Sequence, residues 1–170
     1  PAPRMVTQDA RTLVIAVLGL GEAGSVIARD LAAAGTRVRG YDPAVPAAEP
    51  VLDTASEAEA AQAAQLVLSV NSAKAAVEAF KAGLPGLIAG GQPRSAVVWA
   101  DLNTASPGTK RQLAGLAADA GVPFADVAMM APVPGRGLRV PMLASGPGAG
   151  RYAALLGPLG AGIEVLDGPP

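Results

Sequence analysis

Residues 14–35 read VIAVLGLGEAGSVIARDLAAAG, and the spacing of Gly19, Gly21 and Gly24 within them decides the fold. The run from Thr12 to Leu18 is Leu, Val and Ile without polar alternation, the pattern of a strand buried on both faces of a parallel sheet. Helical spacing follows at once through Val26, Ile27, Leu31 and Ala34, and Gly35 stands where a C-cap glycine belongs. Thr36 to Tyr41 reads as a second strand, which completes a unit of βαβ size. In such a unit the first glycine makes the tight turn, the second lets backbone approach a pyrophosphate, and the third lets helix pack closely on strand. The helix start adds free N–H groups and a positive dipole end. Gly19, Leu20, Gly21, Glu22, Ala23 and Gly24 are therefore the candidate pyrophosphate loop.

Asp42 closes the second strand, where a carboxylate can accept hydrogen bonds from a ribose diol. A 2′-phosphate would be repelled there and would need an arginine just after the strand, yet no basic residue occurs between Gly40 and Ser72. Arg37 and Arg39 fall on the strand itself, with a solvated face as their role. The expected cofactor is NAD, with NADP as the alternative. Read one by one, the same residues also fit a structural glycine turn and an aspartate capping the turn before Pro43.

Composition narrows the class. Thirteen basic and fourteen acidic residues in 170 leave a formal charge of −1, with no basic block suited to nucleic acid. With no cysteine and no histidine, neither thiolate chemistry nor the commonest general base is available, and no metal site is expected. No apolar run reaches membrane-spanning length, and PAPRMVTQDAR lacks the order of a signal peptide, so a soluble cytoplasmic protein with no membrane partner is expected. Residues 1–11 are expected to form a flexible N-terminal segment and 12–170 a single domain.

Along that domain, PAVPAAEP is a proline-punctuated loop, Ser56–Ala64 an alanine-rich helix and Gln65–Asn71 an apolar strand. A helix is expected over Ala73–Ala82, then a loop through GLPGLIAGGQPRS that holds at most a short helical turn. Ala96–Asp101 is the next strand, and Pro107 after Ser106 opens a helix that Gly121 closes. VPFADVAMM and VPMLAS read as strands around the loop APVPGRG, GAGRYAALLGPLG as a helix and GIEVLD as a last strand. Strands alternating with helices throughout imply an α/β fold of the Rossmann type, a doubly wound, mostly parallel sheet with helices on both faces.

Three stretches together resemble the β-hydroxyacid dehydrogenases, the family of 3-hydroxyisobutyrate and 6-phosphogluconate dehydrogenases. VLGLGEAGSVIARDLAAAGTRVRGYD is similar to their cofactor signature, LSVNS to the end of their fourth strand, and DLNTASPGT to the segment that ends their fifth. The resemblance runs from about Val14 to Leu166. It implies that Asn71 and Ser72 border the cofactor and that Asn103 and Thr104 face the nicotinamide, although Asn103 and Thr104 also fit a cap and turn before Pro107.

The family's substrate motif DAPVSGG is answered here by DVAMMAPVPGRG, in which Met130 or Pro134 stands in for the substrate-contacting serine. Neither side chain donates a hydrogen bond. Met130, Pro134, Gly135 and Arg136 are the candidate substrate residues, with Arg136 and Arg139 the cations available to an anion, or else residues of a surface loop. Met129, Met130 and Met142 are expected to pack a core or line an apolar pocket.

The family's general acid or base is a lysine on a second, all-helical domain. Of this chain's three lysines, Lys74 and Lys81 are placed on one helix and Lys110 on the helix after NTASP, and none has that context. No catalytic residue is therefore assigned. The expectation is the cofactor half of an NAD(P)-dependent oxidoreductase acting on a small hydroxyacid-like molecule, inactive alone and dimeric only with its C-terminal helical domain. An imine-reductase-like domain and a non-catalytic dinucleotide sensor are the alternatives.

Overall fold

The computed structural model describes residues 13–167, so the expected N-terminal segment and Thr12 lie outside the described residues. The first unit is β1 (Val14–Leu18), α1 (Glu22–Ala33) and β2 (Arg37–Tyr41), with β1 and β2 parallel and Val14 paired with Arg37. A short edge strand β3 (Leu52–Asp53) follows, then α2 (Glu57–Ala61), β4 (Leu66–Ser69), α3 (Ala76–Ala89) and β5 (Val98–Asp101). The last third holds α4 (Pro107–Ala120), β6 (Phe124–Met129), β7 (Met142–Ser145), α5 (Ala149–Leu156) and β8 (Ile163–Val165).

The eight strands form one sheet in the order β3-β2-β1-β4-β5-β6-β7-β8, parallel except for the antiparallel β6–β7 pair. The chain winds outward from β1 in one direction, returns to β4 on its other side and winds on. The strand order thus reverses between β1 and β4, and α/β sheets bind ligands at the carboxyl ends flanking such a point.

Burial explains why the central strands carry no alternation. Every residue of β4 and β5 and four of five in β1 are buried, because helices cover both sheet faces. Ile27 and Leu31 of α1 pack with Tyr152 and Leu156 of α5 on one face. Ala60, Phe80 and Leu113 from α2, α3 and α4 pack around Trp99 on the other. With so few aromatic side chains, small residues must let helices come close.

Two expected elements are corrected. Helix α3 does not stop at Ala82 but continues through Pro85 to Ala89. The glycines taken for a loop are contact points: a Cβ on Gly83 would lie 2.8 Å from the Trp99 ring, and one on Gly86 would lie 1.9 Å from the Ala58 carbonyl oxygen. Close packing on α2 and the sheet offsets the hydrogen bond that Pro85 removes. Helix α2 is only five residues long, because the chain leaves it at Gln62, which is extended with ψ 125°, and Ala63 follows with a φ of +60°. Its start is well made, with Ser56 Oγ accepting from the Glu59 N–H at 3.1 Å. Helix α4 forms as expected: Ser106 Oγ accepts from the Thr109 N–H, Pro107 occupies the first turn, and Gly121 closes the helix at φ +73°.

Candidate functional site

The carboxyl ends of β1, β2, β4, β5 and β6 open on one edge of the sheet, and the site builds from the β1 turn. Gly19 has φ +102°, and its N–H donates to Tyr41 O at 2.8 Å, which ties the turn to β2. A Cβ at Gly24 would lie 1.9 Å from Gly19 O, so only glycine lets α1 start so close beneath the turn. At Gly21, by contrast, a Cβ would meet nothing within 4 Å. That glycine faces open space. The first helical bond runs from the Ser25 N–H to Gly21 O, leaving the N–H groups of Glu22, Ala23 and Gly24 without helical partners. Open space in front of a helix start, with three amides converging on it, fits a pyrophosphate.

Leu20 has another part. Its N–H donates to Asp42 Oδ2 at 2.8 Å and its side chain is buried, so it fixes the loop rather than offering an amide to a ligand. Asp42 Oδ1 accepts from the N–H groups of Ala44 at 2.8 Å and Val45 at 3.2 Å. Desolvation pushes this carboxyl up, but the three backbone donors together outweigh it and hold it below the ordinary 3.8. Asp42 therefore caps its turn and locks the glycine loop at once. It also lines a cavity of about 320 Å³ with Gly19, Gly21, Glu57, Asn71 and Ser72. The cations nearest in sequence do not reach that cavity; Arg39 donates to the Gln62 carbonyl instead.

Asn71 and Asn103 meet across the β4 and β5 ends. Asn103 Nδ2 donates to Asn71 Oδ1 at 2.9 Å and to Asp101 Oδ1 at 2.8 Å, with Ser69 Oγ at 3.4 Å. Asn103 is thus a buried link between strands, and the helix cap is Ser106. Thr104 is exposed and, with Asn103, Pro107 and Met129, lines a second cavity of about 510 Å³.

The four candidate substrate residues do not join this cavity. Met130 is 58% exposed, which also corrects its expected packing role, and its N–H bonds to Pro141 O. Pro134, Gly135 and Arg136 are exposed in a turn that docks on α1, where the Leu138 N–H donates to Asp30 Oδ2 at 2.9 Å. Gly135, Arg136 and Arg139 line a separate cavity with Asp30. Met142 is buried as expected, and its sulfur accepts from the Tyr152 hydroxyl.

The second cavity instead holds two charged residues that sequence reasoning did not select, Lys110 and Asp126. Asp101 and Asp126 are register partners on parallel strands, an arrangement that like charges oppose. Lys110 resolves it. Its Nζ lies 2.7 Å from Asp101 Oδ2, 2.7 Å from Asp126 Oδ1 and 3.0 Å from Asp101 O. The available signal was the charge within each apolar strand run, AVVWAD and FADVAMM, since a buried carboxylate requires a partner. Lys74 is exposed in the turn before α3 rather than on it, and Lys81 pairs at the surface with Glu78.

A doubly wound sheet with this turn at its switch point defines a dinucleotide-binding domain of the Rossmann type. The family model for the NAD binding domain of 6-phosphogluconate dehydrogenase matches residues 14–136, and the chain belongs to that family of NAD-binding domains. Among solved structures, a conserved hypothetical protein from Sinorhizobium meliloti is 28% identical, with a TM-score of 0.78 over 93% of this chain and 55% of its own. Mycobacterium tuberculosis 3-hydroxyisobutyrate dehydrogenase with L-serine is 24% identical, at TM-score 0.73 over 91% of this chain and 54% of its own. An imine reductase from Myxococcus stipitatus in complex with NADP+ is 18% identical, at 0.75 over 90% and 54%. The chain thus spans little more than half the length of these proteins. No curated protein matches it. Among the described residues no helix is long and apolar enough to cross a membrane, and no group of three or more Asp or Glu could hold a metal ion.

Proposed function

We propose that residues 12–170 form the cofactor-binding domain of an NAD(P)-dependent oxidoreductase of the β-hydroxyacid dehydrogenase type. The observation that carries this reading is the contrast between Gly24, where a side chain would strike the Gly19 backbone, and Gly21, where the same atom enters open space before the first turn of α1. Glycine at 24 is explained by packing; at 21 it is explained by a ligand. A bound nicotinamide dinucleotide would supply the hydride donor or acceptor.

The chain's residues bind and orient. The amides of Glu22, Ala23 and Gly24 receive the pyrophosphate, and Asp42 accepts from the adenosine ribose. Asp42 and Glu57 make that cavity anionic, which favours NAD over NADP. Asn71 and Ser72 border the cofactor, and Asn103 and Thr104 flank the nicotinamide in the larger cavity. The small-molecule substrate enters there rather than beside Arg136. Proton transfer to that substrate comes from a C-terminal helical domain, through which the enzyme dimerises in the cytoplasm, so this chain alone binds cofactor without turnover.

Gly21→Val tests the reading, because φ −69° suits any residue and a Cβ at this position meets no protein atom within 4 Å. Calorimetric titration is expected to show NADH bound more tightly than NADPH by the unaltered chain. In the variant NADH binding falls by about tenfold or more, with the melting temperature unchanged. Undiminished binding in Gly21→Val would refute the site.

A further inference from the structure

The polar network across the ends of β4 and β5 has a direction, and it starts from a backbone group. The Ser72 N–H donates to Asn71 Oδ1 at 2.9 Å, which fixes that atom as the oxygen of its amide. The same oxygen takes the Ser69 hydroxyl at 3.3 Å and Asn103 Nδ2 at 2.9 Å. A second acceptor, Asp101 Oδ1, lies 2.8 Å from Asn103 Nδ2. An amide nitrogen carries two N–H bonds, and Asn103 directs them at Asn71 and Asp101. Turned round, Asn103 would set its carbonyl oxygen against two oxygens, one of them a carboxylate's.

Asp101 holds the stronger grip. It is wholly buried, and its Oδ2 stands 2.7 Å from Lys110 Nζ as an ion pair but takes no hydrogen bond. Among the described residues, Asn103 Nδ2 is therefore the one hydrogen-bond donor this carboxylate side chain has, and a buried carboxylate left with none is costly. The other end of the Asn103 amide points outward. Its Oδ1 accepts from no described residue, yet the buried side-chain atoms without a partner are Trp99 Nε1 and Asp101 Oδ2 alone, so this oxygen is not sealed in the core. Asn103 lines the larger cavity, and an acceptor is what it presents there.

We infer that Asp101 is a positioning residue: it locks Asn103 as a hydrogen-bond acceptor toward the larger cavity, for a donor on the nicotinamide half of the cofactor, the carboxamide N–H or a ribose O–H. The inference rests on the cofactor reading proposed above. Asp101 touches no ligand and acts through Asn103.

Asp101→Asn reverses the lock. The introduced amide turns its oxygen to the Lys110 ammonium and its NH2 to Asn103, where donor would meet donor, so Asn103 turns its own nitrogen to the cavity. Adding Lys110→Met removes the ammonium, and the introduced amide again offers its oxygen to Asn103. The probes are NADH, ADP, which lacks the nicotinamide half, and the reduced 3-acetylpyridine analogue of NADH, whose methyl ketone lacks the N–H. Calorimetric titration is expected to show Asp101→Asn weakening NADH about tenfold with ADP unchanged, and Asp101→Asn/Lys110→Met recovering most of the loss. In the unaltered chain, weaker binding of the analogue than of NADH identifies the carboxamide as the donor, and equal binding identifies the ribose. Unchanged NADH affinity in Asp101→Asn, an equal loss for ADP, or no recovery in the double variant would each overturn the inference. NMR of the unaltered chain decides the lock even where a variant fails to fold: without cofactor, the Asn103 side-chain NH2 is expected to exchange with solvent at least about tenfold more slowly than an exposed amide. Exchange as fast as an exposed amide would overturn the inference whether or not NADH binds. Failure of NADH to bind beside a protected Asn103 amide would instead overturn the cofactor reading and leave Asp101 as the lock on Asn103.

Discussion

Gly24→Ala sets two opposed effects against each other inside one helix. Alanine in a helix interior is favoured over glycine by about 1 kcal/mol. At position 24 the new methyl lands 1.9 Å from Gly19 O and 2.8 Å from the Gly19 carbonyl carbon, where nothing closer than about 3.0 Å is tolerated. Gly19 is held in place: its N–H is bonded to Tyr41 O, and it lies so close to β4 that a Cβ built on it would fall 2.2 Å from Val70 O. Helix α1 must therefore move by about 1 Å from the turn, and overpacking of this kind costs about 1–3 kcal/mol. Because the obstacle is backbone, the upper end applies, and the net loss is about 2 kcal/mol, or about 4–8 °C in melting temperature for a chain of this size. Gly115→Ala in α4 is the control, since its Cβ meets nothing within 4 Å on an exposed helix face. It is expected to gain about 0.5–1 kcal/mol. Calorimetric melting of both variants, with NADH titration of the first, decides the matter. A Gly24→Ala protein as stable as Gly115→Ala would refute the packing argument for the loop.

Lys110→Met leaves Asp101 charged, wholly buried and opposed by Asp126, and breaking such a cluster costs about 3–5 kcal/mol. Urea unfolding should show that loss, and adding Asp101→Asn should recover a large part of it; no recovery would mean that the lysine acts through packing alone. Asp42 gives a pH prediction of definite sign. Its folded-state carboxyl lies below the unfolded value near 3.8, so its contribution is complete above that value and is lost as pH falls through the folded one. The stability gap between the unaltered chain and Asp42→Asn should stay constant from about pH 7 to 5 and close only below about pH 4. A gap that closes near neutrality would contradict the assignment.

What was legible in the sequence shares one property, a short range along the chain. The β1 turn, α1 and β2 are encoded within 30 residues of one another, since the turn needs Gly19, the close approach needs Gly24, and Asp42 closes the unit by bonding Leu20. The caps of α4 are equally local, Ser106 at one end and Gly121 at the other. Local steric rules therefore determined the fold class and the glycine turn that Asp42 locks.

Tertiary structure decided the rest, because the deciding contacts join residues far apart in sequence. Asn71 meets Asn103 only because β4 and β5 pair in parallel, and Asp101 meets Asp126 only through the β5–β6 register. Lys110 gains its meaning from both. The turn at Pro134–Arg136 lies apart from the larger cavity because Asp30, more than a hundred residues earlier, accepts the Leu138 N–H. Helix α3 runs through Pro85 because Ala58 and Trp99 offer surfaces that only glycine can meet. A sequence carries the requirement that each buried charge and each close approach find a partner. Which partner answers is set by strand order and register, since hydrogen bonds and ion pairs act over a few ångströms of space, whatever the length of chain between them.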